Sequence, residues 1–341
     1  IYPSYDYTHC LVDSLEDIDY SLCTLEFETR RESYFWLLEA LNLYRPKVWE
    51  FSRLNVTGSL LSKRKINFLV ENGVVRGFDD PRLLTLAGMR RRGYTPAAIN
   101  EFCTMVGISR SENMIDIKLL DHIQRGYFDR ESERRFGVLD PLLVVVTNPL
   151  DHPISYEAPN HPKSKSFGFR RLNLTKIFYI EKSDFRKIDS GNFFGLSTNP
   201  DKPVGLKYGP NMYYVRHDED TTSGEATCVY VNLDFVKNKK PKTHIHWLAV
   251  ESAVRAEFRV YDSLLLNDKT AVENTMENIN TKSETIYRGF VESGLEKSPI
   301  STTFQFERMG YFTIDRDTMG KALMVFNRVI ALREDSEVKK L

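Results

Sequence analysis

No wholly apolar run in the 341 residues is longer than the one at 142–146. That is far short of the roughly 20 residues a membrane-spanning helix needs, so no membrane association is expected. No basic-then-apolar leader opens the chain, so the sequence shows no secretory signal. Cysteine is scarce. Cys10, Cys23, Cys103 and Cys228 lie far apart and form no CxxC pair, which argues against a zinc ribbon or a disulfide framework and for a reduced, cytoplasmic protein without a structural metal. Net charge is missing too: 47 Lys and Arg face 47 Asp and Glu. That balance excludes a blanket polyanion binder but not a local basic track. GxxxxGK[ST], GxGxxG, GxSxG and HExxH are all absent, which removes the P-loop, dinucleotide-fold, α/β-hydrolase and zincin readings. His244 and His246 share a strand face beside Trp247, but two further ligands are lacking and the pair reads as structural. Ile1 is not a methionine, and residues 1–7 read like the interior of a domain; the chain is expected to be a piece of a longer protein.

What is present points to two or three folded domains, because 41% of residues are hydrophobic and 12% aromatic. Charge is unevenly placed. Positions 1–42 hold nine acids and two bases, and positions 43–99 hold eleven bases and four acids. The second stretch, with Lys63-Arg64-Lys65 and Arg90-Arg91-Arg92, is either a solvated helical face or a phosphate track. Apolar spacing predicts a mostly helical region from Asp13 to about Arg130. One helix runs through Phe35–Leu43 and stops at Pro46, and another opens at Asp80-Pro81. A third is capped by Thr95-Pro96 and stopped by Gly107, and a fourth covers 114–125. Beyond about residue 134 the pattern changes to short β-branched and aromatic runs at 142–147, 174–180, 227–233, 243–250 and 257–265. Late strands are expected at 304–306, 311–314 and 323–331, loops at 159–162 and 199–203, and a basic turn at 236–242. This is the spacing of all-β barrels.

The segment Glu50–Lys65, EFSRLNVTGSLLSKRK, carries the most chemical information. A small-residue loop leads into Ser62-Lys63-Arg64, and such a loop can close over nucleotide phosphates, its lysine meeting the charge that develops as pyrophosphate leaves. Together with YPSYDYTHC (2–10), SLCTLEF (21–27), DDPR (79–82), the RRRGY ending at Tyr94, IHW (245–247), FQFER (304–308) and FNR (326–328), it resembles the class I glutaminyl-tRNA synthetases, in family order across nearly the whole chain.

The resemblance implies an α/β plus all-β architecture. Residues 1–64 would be the C-terminal half of a Rossmann catalytic domain, 65–130 a helical connector, and 131–341 two anticodon-binding β-barrels. It implies ATP-dependent activation of glutamine and transfer to the 2′-hydroxyl of the terminal adenosine of tRNA(Gln), by a monomer using ATP with Mg2+. Residues 60–64 match the KMSKS-type signature, with Leu60, Leu61 and Arg64 as departures. Lys63 would stabilise the transition state. Leu61, Ser62, Arg53, Leu54 and Thr24 would contact ATP; for Leu54 and Leu61 the alternative is plain packing. Tyr5, His9 and Cys23 match the glutamine pocket. A Tyr hydroxyl can accept from an amide, and a neutral Cys23, where glutamyl enzymes tend to carry Arg, favours glutamine. Val48 stands where many glutaminyl enzymes have Gln. Arg134, Lys207, Gln305 and Arg308 fall on anticodon-reading positions, and each could equally be a barrel-rim residue. Phe194-Gly195 replaces a basic pair common in the family. The first, HIGH-type signature is absent from the 341 residues, so this piece alone is expected not to form the adenylate. The rival readings are a glutamyl enzyme of archaeal or eukaryotic type and a non-catalytic tRNA-binding derivative of a synthetase.

Overall fold

The computed structural model describes residues 2–60, 62–236, 239–266, 278–320 and 322–332. It opens with helix α1 (Tyr5–Leu15), whose buried Cys10 packs on Tyr34 and Leu38 of helix α2 (Arg31–Ala40). Between and after them, strands Tyr20–Thr24 and Lys47–Phe51 pair in parallel, with Cys23 opposite Glu50. The mostly helical region expected from Asp13 therefore holds a parallel strand pair: such a pair needs a crossover helix, and α2 is that crossover.

Helices α3 (Lys63–Glu71), α4 (Leu86–Arg92), α5 (Pro96–Val106) and α6 (Lys118–Glu131) form the second unit. Thr95 caps α5 by accepting from the Ala98 amide at 3.3 Å, and Gly107 ends it at φ +69°. Two helix expectations are corrected. No helix opens at Asp80-Pro81, because the Asp80 carboxylate accepts from the Arg76 and Arg82 amides, both at 3.0 Å, and closes a turn. The helix starts after Thr85, whose hydroxyl accepts from Gly88 N at 2.9 Å. The helix expected at 114–125 starts later as well: Met114–Ile115 is a strand paired in parallel with Asn55–Val56, and α6 follows it.

The remainder is β. The first seven-stranded sheet runs in the order His244–Ile245, Val204–Leu206, Asn211–Glu219, Ala226–Asp234, Pro141–Val146, Ile177–Glu181, Leu248–Ala249. Its two outermost strands are neighbours in sequence, so the sheet curls until its edges meet on one segment. The second runs Glu133–Arg135, Thr303–Phe306, Gly310–Ile314, Met324–Ile330, Ala253–Tyr261, Glu284–Glu292, Gly137–Val138. Its outer strands are also sequence neighbours. Curling of this kind leaves no long open edge. Closure of the second sheet demands Gly289, where a Cβ would lie 1.9 Å from the Val138 carbonyl.

The β boundaries expected from sequence shift in detail. The run at 174–180 is two strands, one ending at Leu174 and one starting at Ile177, and the run at 243–250 is likewise split. The run at 257–265 starts at Ala253 and ends at Tyr261. The hairpin of Ile154–Pro159 with Phe169–Leu174 and the strands Asn211–Glu219 and Glu284–Glu292 were not expected. The basic turn at 236–242 lies partly outside the described residues.

The helical unit is fastened to the second sheet. Tyr94, Ala98, Phe102, Leu120 and Ile123 share one apolar cluster with Tyr311, Val329 and Ile330. Across this seam Arg91 donates through Nε to Asp315 Oδ2 at 3.0 Å and through Nη2 to Oδ1 at 3.2 Å. Burial alone would raise the Asp315 pKa, but the bonds from Arg91, the Asp317 amide and Asn327 outweigh it and hold the carboxyl below its usual value. A depressed carboxyl contributes stability above its unfolded pKa, and that contribution fades as pH falls through the folded value. The melting temperature is therefore expected to fall as pH drops below about 4, and Asp315→Asn should be less stable at pH 7 with a flatter acid dependence in thermal scans.

Candidate functional site

The residues singled out from the sequence fall into two sets of side chains. In the first, Tyr5 and His9 lie one turn apart on α1, their rings stacked at 5.0 Å. Phe27 packs on Tyr5 at 4.4 Å, and His9 Nε2 lies 3.1 Å from Ser21 Oγ and 3.2 Å from Asp13. Cys23 faces the same cleft, whose lining also includes Arg31, Tyr34, Val48 and Glu50. The structure thus brings Tyr5, His9 and Cys23 together. Burial, then the charge of Glu50, pushes the Cys23 thiol up, so it is a neutral group at pH 7.

Sequence reasoning missed the charge behind this wall. Glu50 is fully buried, and Arg31 donates to it through Nε at 3.0 Å and through Nη2. Arg110, which follows α5, reaches the same carboxylate at 3.4 Å, pairs with Glu28 and lies 5.4 Å over Trp49. The Arg31 bonds hold Glu50 below the usual carboxylate range against the opposing effect of burial. The signal available was an acid inside a strand of otherwise mostly apolar residues, since a buried acid needs a partner.

The expected nucleotide contacts are close in the chain but only partly joined. Thr24 and Arg53 meet on Glu26, Arg53 Nε at 2.7 Å. Leu54 is exposed and borders a second cleft with Arg53, Cys103, Val106 and Asn113. Ser62 is the N-cap of α3 and Lys63 its first residue; Leu61 lies outside the described residues. Lys63, Arg64 and Lys65 occupy the first turn with no acid among them. Cations there oppose the helix dipole, an arrangement that suits an incoming anion better than it suits the helix.

In the second set, Lys207 and Arg308 meet the turn after Thr303–Phe306, and Gln305 lies in that strand. Lys207 pairs with Glu307, which also accepts from Tyr208 Oη at 3.1 Å and Arg170 Nη2 at 3.3 Å. Arg308 is paired with Asp184. The buried Gln305 Oε1 has no hydrogen-bond partner. Arg134 lies directly opposite Gln305 in the neighbouring strand, but its side chain is otherwise engaged. It is buried and donates to the carbonyls of Ser132 at 2.7 Å and Asp129 at 3.1 Å and to Asp129 Oδ1 at 2.9 Å, closing the C-terminus of α6. No group of three or more His, Cys, Asp or Glu able to hold a metal occurs among the described residues, and no helix among them is long and apolar enough to cross a membrane.

Comparison with known families matches this layout. Residues 1–129 match the catalytic domain of the class I tRNA synthetases (E and Q), and residues 132–234 and 244–315 match two anticodon-binding domain models of the same group. The chain belongs to the class I (E and Q) tRNA synthetase family. The first boundary between these matches falls where α6 ends. It is 44% identical over 346 residues to a probable glutamine–tRNA ligase of Dictyostelium discoideum, covering all of this chain and 44% of that one. It is 43% identical to a cytoplasmic glutamine–tRNA ligase of Arabidopsis thaliana, over 98% of this chain and 43% of the other. A glutamine–tRNA ligase of Idiomarina loihiensis is 38% identical over 98% of this chain and 61% of its own length. The chain thus spans between 43% and 61% of these curated relatives.

The capping role of Arg134 has a direct test. Arg134→Met should lower stability by about 1–3 kcal/mol, because buried carbonyls lose their donors. Chemical denaturation of this chain without any ligand reads that loss.

Proposed function

We propose that the chain is part of a glutamine–tRNA ligase, carrying one wall of the glutamine site, the phosphate loop and the anticodon-reading domains. The single observation that carries the choice of amino acid is the wall itself. Tyr5 offers a hydroxyl that can accept from a side-chain amide, and the neighbouring Cys23 is neutral. A glutamate carboxylate has no N–H for Tyr5, and the Arg31 cation is already taken by Glu50. The names of the similar proteins support the same reading.

Residues 1–64 would complete a Rossmann catalytic domain, with 65–130 as connector and 131–341 as two anticodon-binding barrels, in a cytoplasmic monomer. ATP, brought in with Mg2+, would lie between the α3 N-terminus and the Arg53–Leu54 edge, with Thr24 beside it. The glutamine carboxylate attacks the α-phosphorus and the bond to pyrophosphate breaks. Lys63 neutralises charge on the departing pyrophosphate, aided by the dipole of α3. The 2′-hydroxyl of the terminal adenosine then attacks the activated carbonyl and releases AMP. Lys207, Gln305 and Arg308 would meet anticodon bases, where splayed single-stranded bases expose their edges. Arg134 would act there through the packing of its strand beside Gln305.

The full-length protein is expected to catalyse pyrophosphate exchange with glutamine, in the presence of tRNA(Gln), in strong preference to glutamate. Lys63→Ala should lower kcat on the order of 10²–10³-fold with a much smaller change in KM for ATP. Equal use of glutamate points to a glutamyl enzyme. Exchange with neither amino acid, alongside tight tRNA binding, points to a non-catalytic tRNA binder.

A further inference from the structure

The turn that carries Arg308 is held in a conformation its own backbone disfavours. Arg308 sits at φ +73°, the left-handed region that residues with a side chain avoid. Such a backbone persists where surrounding contacts over-determine it. Here the contacts come from the other sheet. Arg308 Nη1 donates to Asp184 Oδ2 at 2.7 Å, and Nη2 donates to Asp184 Oδ1 at 2.6 Å. Asp184 ends the short turn Lys182–Asp184 and is buried. Nη1 also lies 3.1 Å from His246 Nδ1. A guanidinium only donates, so His246 Nδ1 must be the acceptor and the ring hydrogen of a neutral His246 is on Nε2. That Nε2 is buried without a hydrogen-bond partner, and Glu181 Oε1 is 3.6 Å away. Glu181 in turn accepts from the Leu139 amide at 2.6 Å, in the link between the two sheets.

We infer that Asp184, with His246 beside it, is a positioning residue for base recognition: it fixes which edge of the Arg308 guanidinium faces the nucleic acid. The inference rests on the reading in which Arg308 contacts an anticodon base. Asp184 takes the end of the fork, Nη1 and Nη2, and His246 takes the second Nη1 hydrogen. What remains is the side edge, Nε–H and one Nη2–H, two nearly parallel donors suited to acceptors on a base edge. The Arg308 side chain is 33% exposed, whereas that of Asp184 is 9% exposed, so the arginine is reachable and its partner is not. A freely rotating arginine at this position would offer any edge to any base or phosphate. One clamped by a carboxylate offers a single geometry, which turns a generic cation into a discriminating contact.

The test uses the full-length protein and transcripts of a glutamine tRNA carrying each of the four bases at the central anticodon position. The readout is the ratio of kcat/KM between cognate and non-cognate bases, a quantity that a general loss of folded protein does not move. Arg308→Ala is expected to collapse the ratio. Asp184→Asn is expected to reduce it roughly tenfold, within the range for one base contact, and the double variant should discriminate no worse than Arg308→Ala alone. If Asp184→Asn lowers kcat/KM equally for all four transcripts, or leaves the ratio intact, while Arg308→Ala collapses it, the positioning role is overturned and the base-reading role stands. If Arg308→Ala itself preserves the ratio, the base-reading assignment fails and the inference falls with it. Should Asp184→Asn not fold, His246→Phe answers the same question: a smaller ratio supports the clamp, and a uniform loss overturns it.

Discussion

The pairing of Arg91 with Asp315 is the contact that fixes the helical unit on the second sheet. It joins residues 224 positions apart in the chain, and both side chains are almost wholly inaccessible. Around it, Asn327 donates to the Arg91 carbonyl and Arg92 to that of Val329, each at 3.1 Å. A buried ion pair is a poor source of net stability, because desolvation offsets most of the attraction, but removing one partner is strongly destabilising. Its contribution here is direction. The apolar cluster of Phe102, Ile123 and Tyr311 would tolerate sliding, whereas a two-bonded guanidinium has one register.

Arginine–carboxylate pairs recur at other seams. Arg110 ties the segment after α5 to Glu50 behind the wall of Tyr5, His9 and Cys23. Arg76 donates to Glu284 at 2.8 Å and 2.7 Å, tying the second unit to the edge of the second sheet. Arg170, on the strand Phe169–Leu174, ties that hairpin to Glu292 and Glu307 of the second sheet, at 2.8 Å and 3.3 Å. In each case arginine rather than lysine makes the bridge, as its planar fork favours.

This explains what could be read from the sequence and what could not. Local signals were legible. Thr95-Pro96 and Gly107 bound α5 because capping acts through neighbouring residues. Tyr5, His9 and Cys23 were readable as one set only because the resemblance placed them; the helix that sets Tyr5 and His9 one turn apart was not expected. Asn211–Glu219 escaped because its outer half, with Arg216, Asp218 and Glu219, is polar and exposed, and alternation fails there. Glu284–Glu292 escaped because Gly289 breaks the β-branched pattern for a reason that appears only when the barrel closes. Arg134 shows the limit of carrying a role over by position. Its place beside Gln305 fits the resemblance, yet its guanidinium is spent on carbonyls at the end of α6, and no sequence pattern reveals where a long side chain turns. Glu50 and Arg31 lie 19 positions apart, and nothing local announces that they meet.

The central claim is that buried charge makes the helical unit and the second sheet one cooperative body. Native-state hydrogen exchange on this chain, followed amide by amide in rising denaturant, tests it most directly. The slowest amides of α4, α5 and α6 should share a single opening free energy with those of Gly310–Ile314 and Met324–Ile330, because an opening that frees the helices must break the Arg91–Asp315 seam. If the helices open at a distinctly lower free energy while the sheet stays protected, the two are separate bodies in contact, and the account is contradicted.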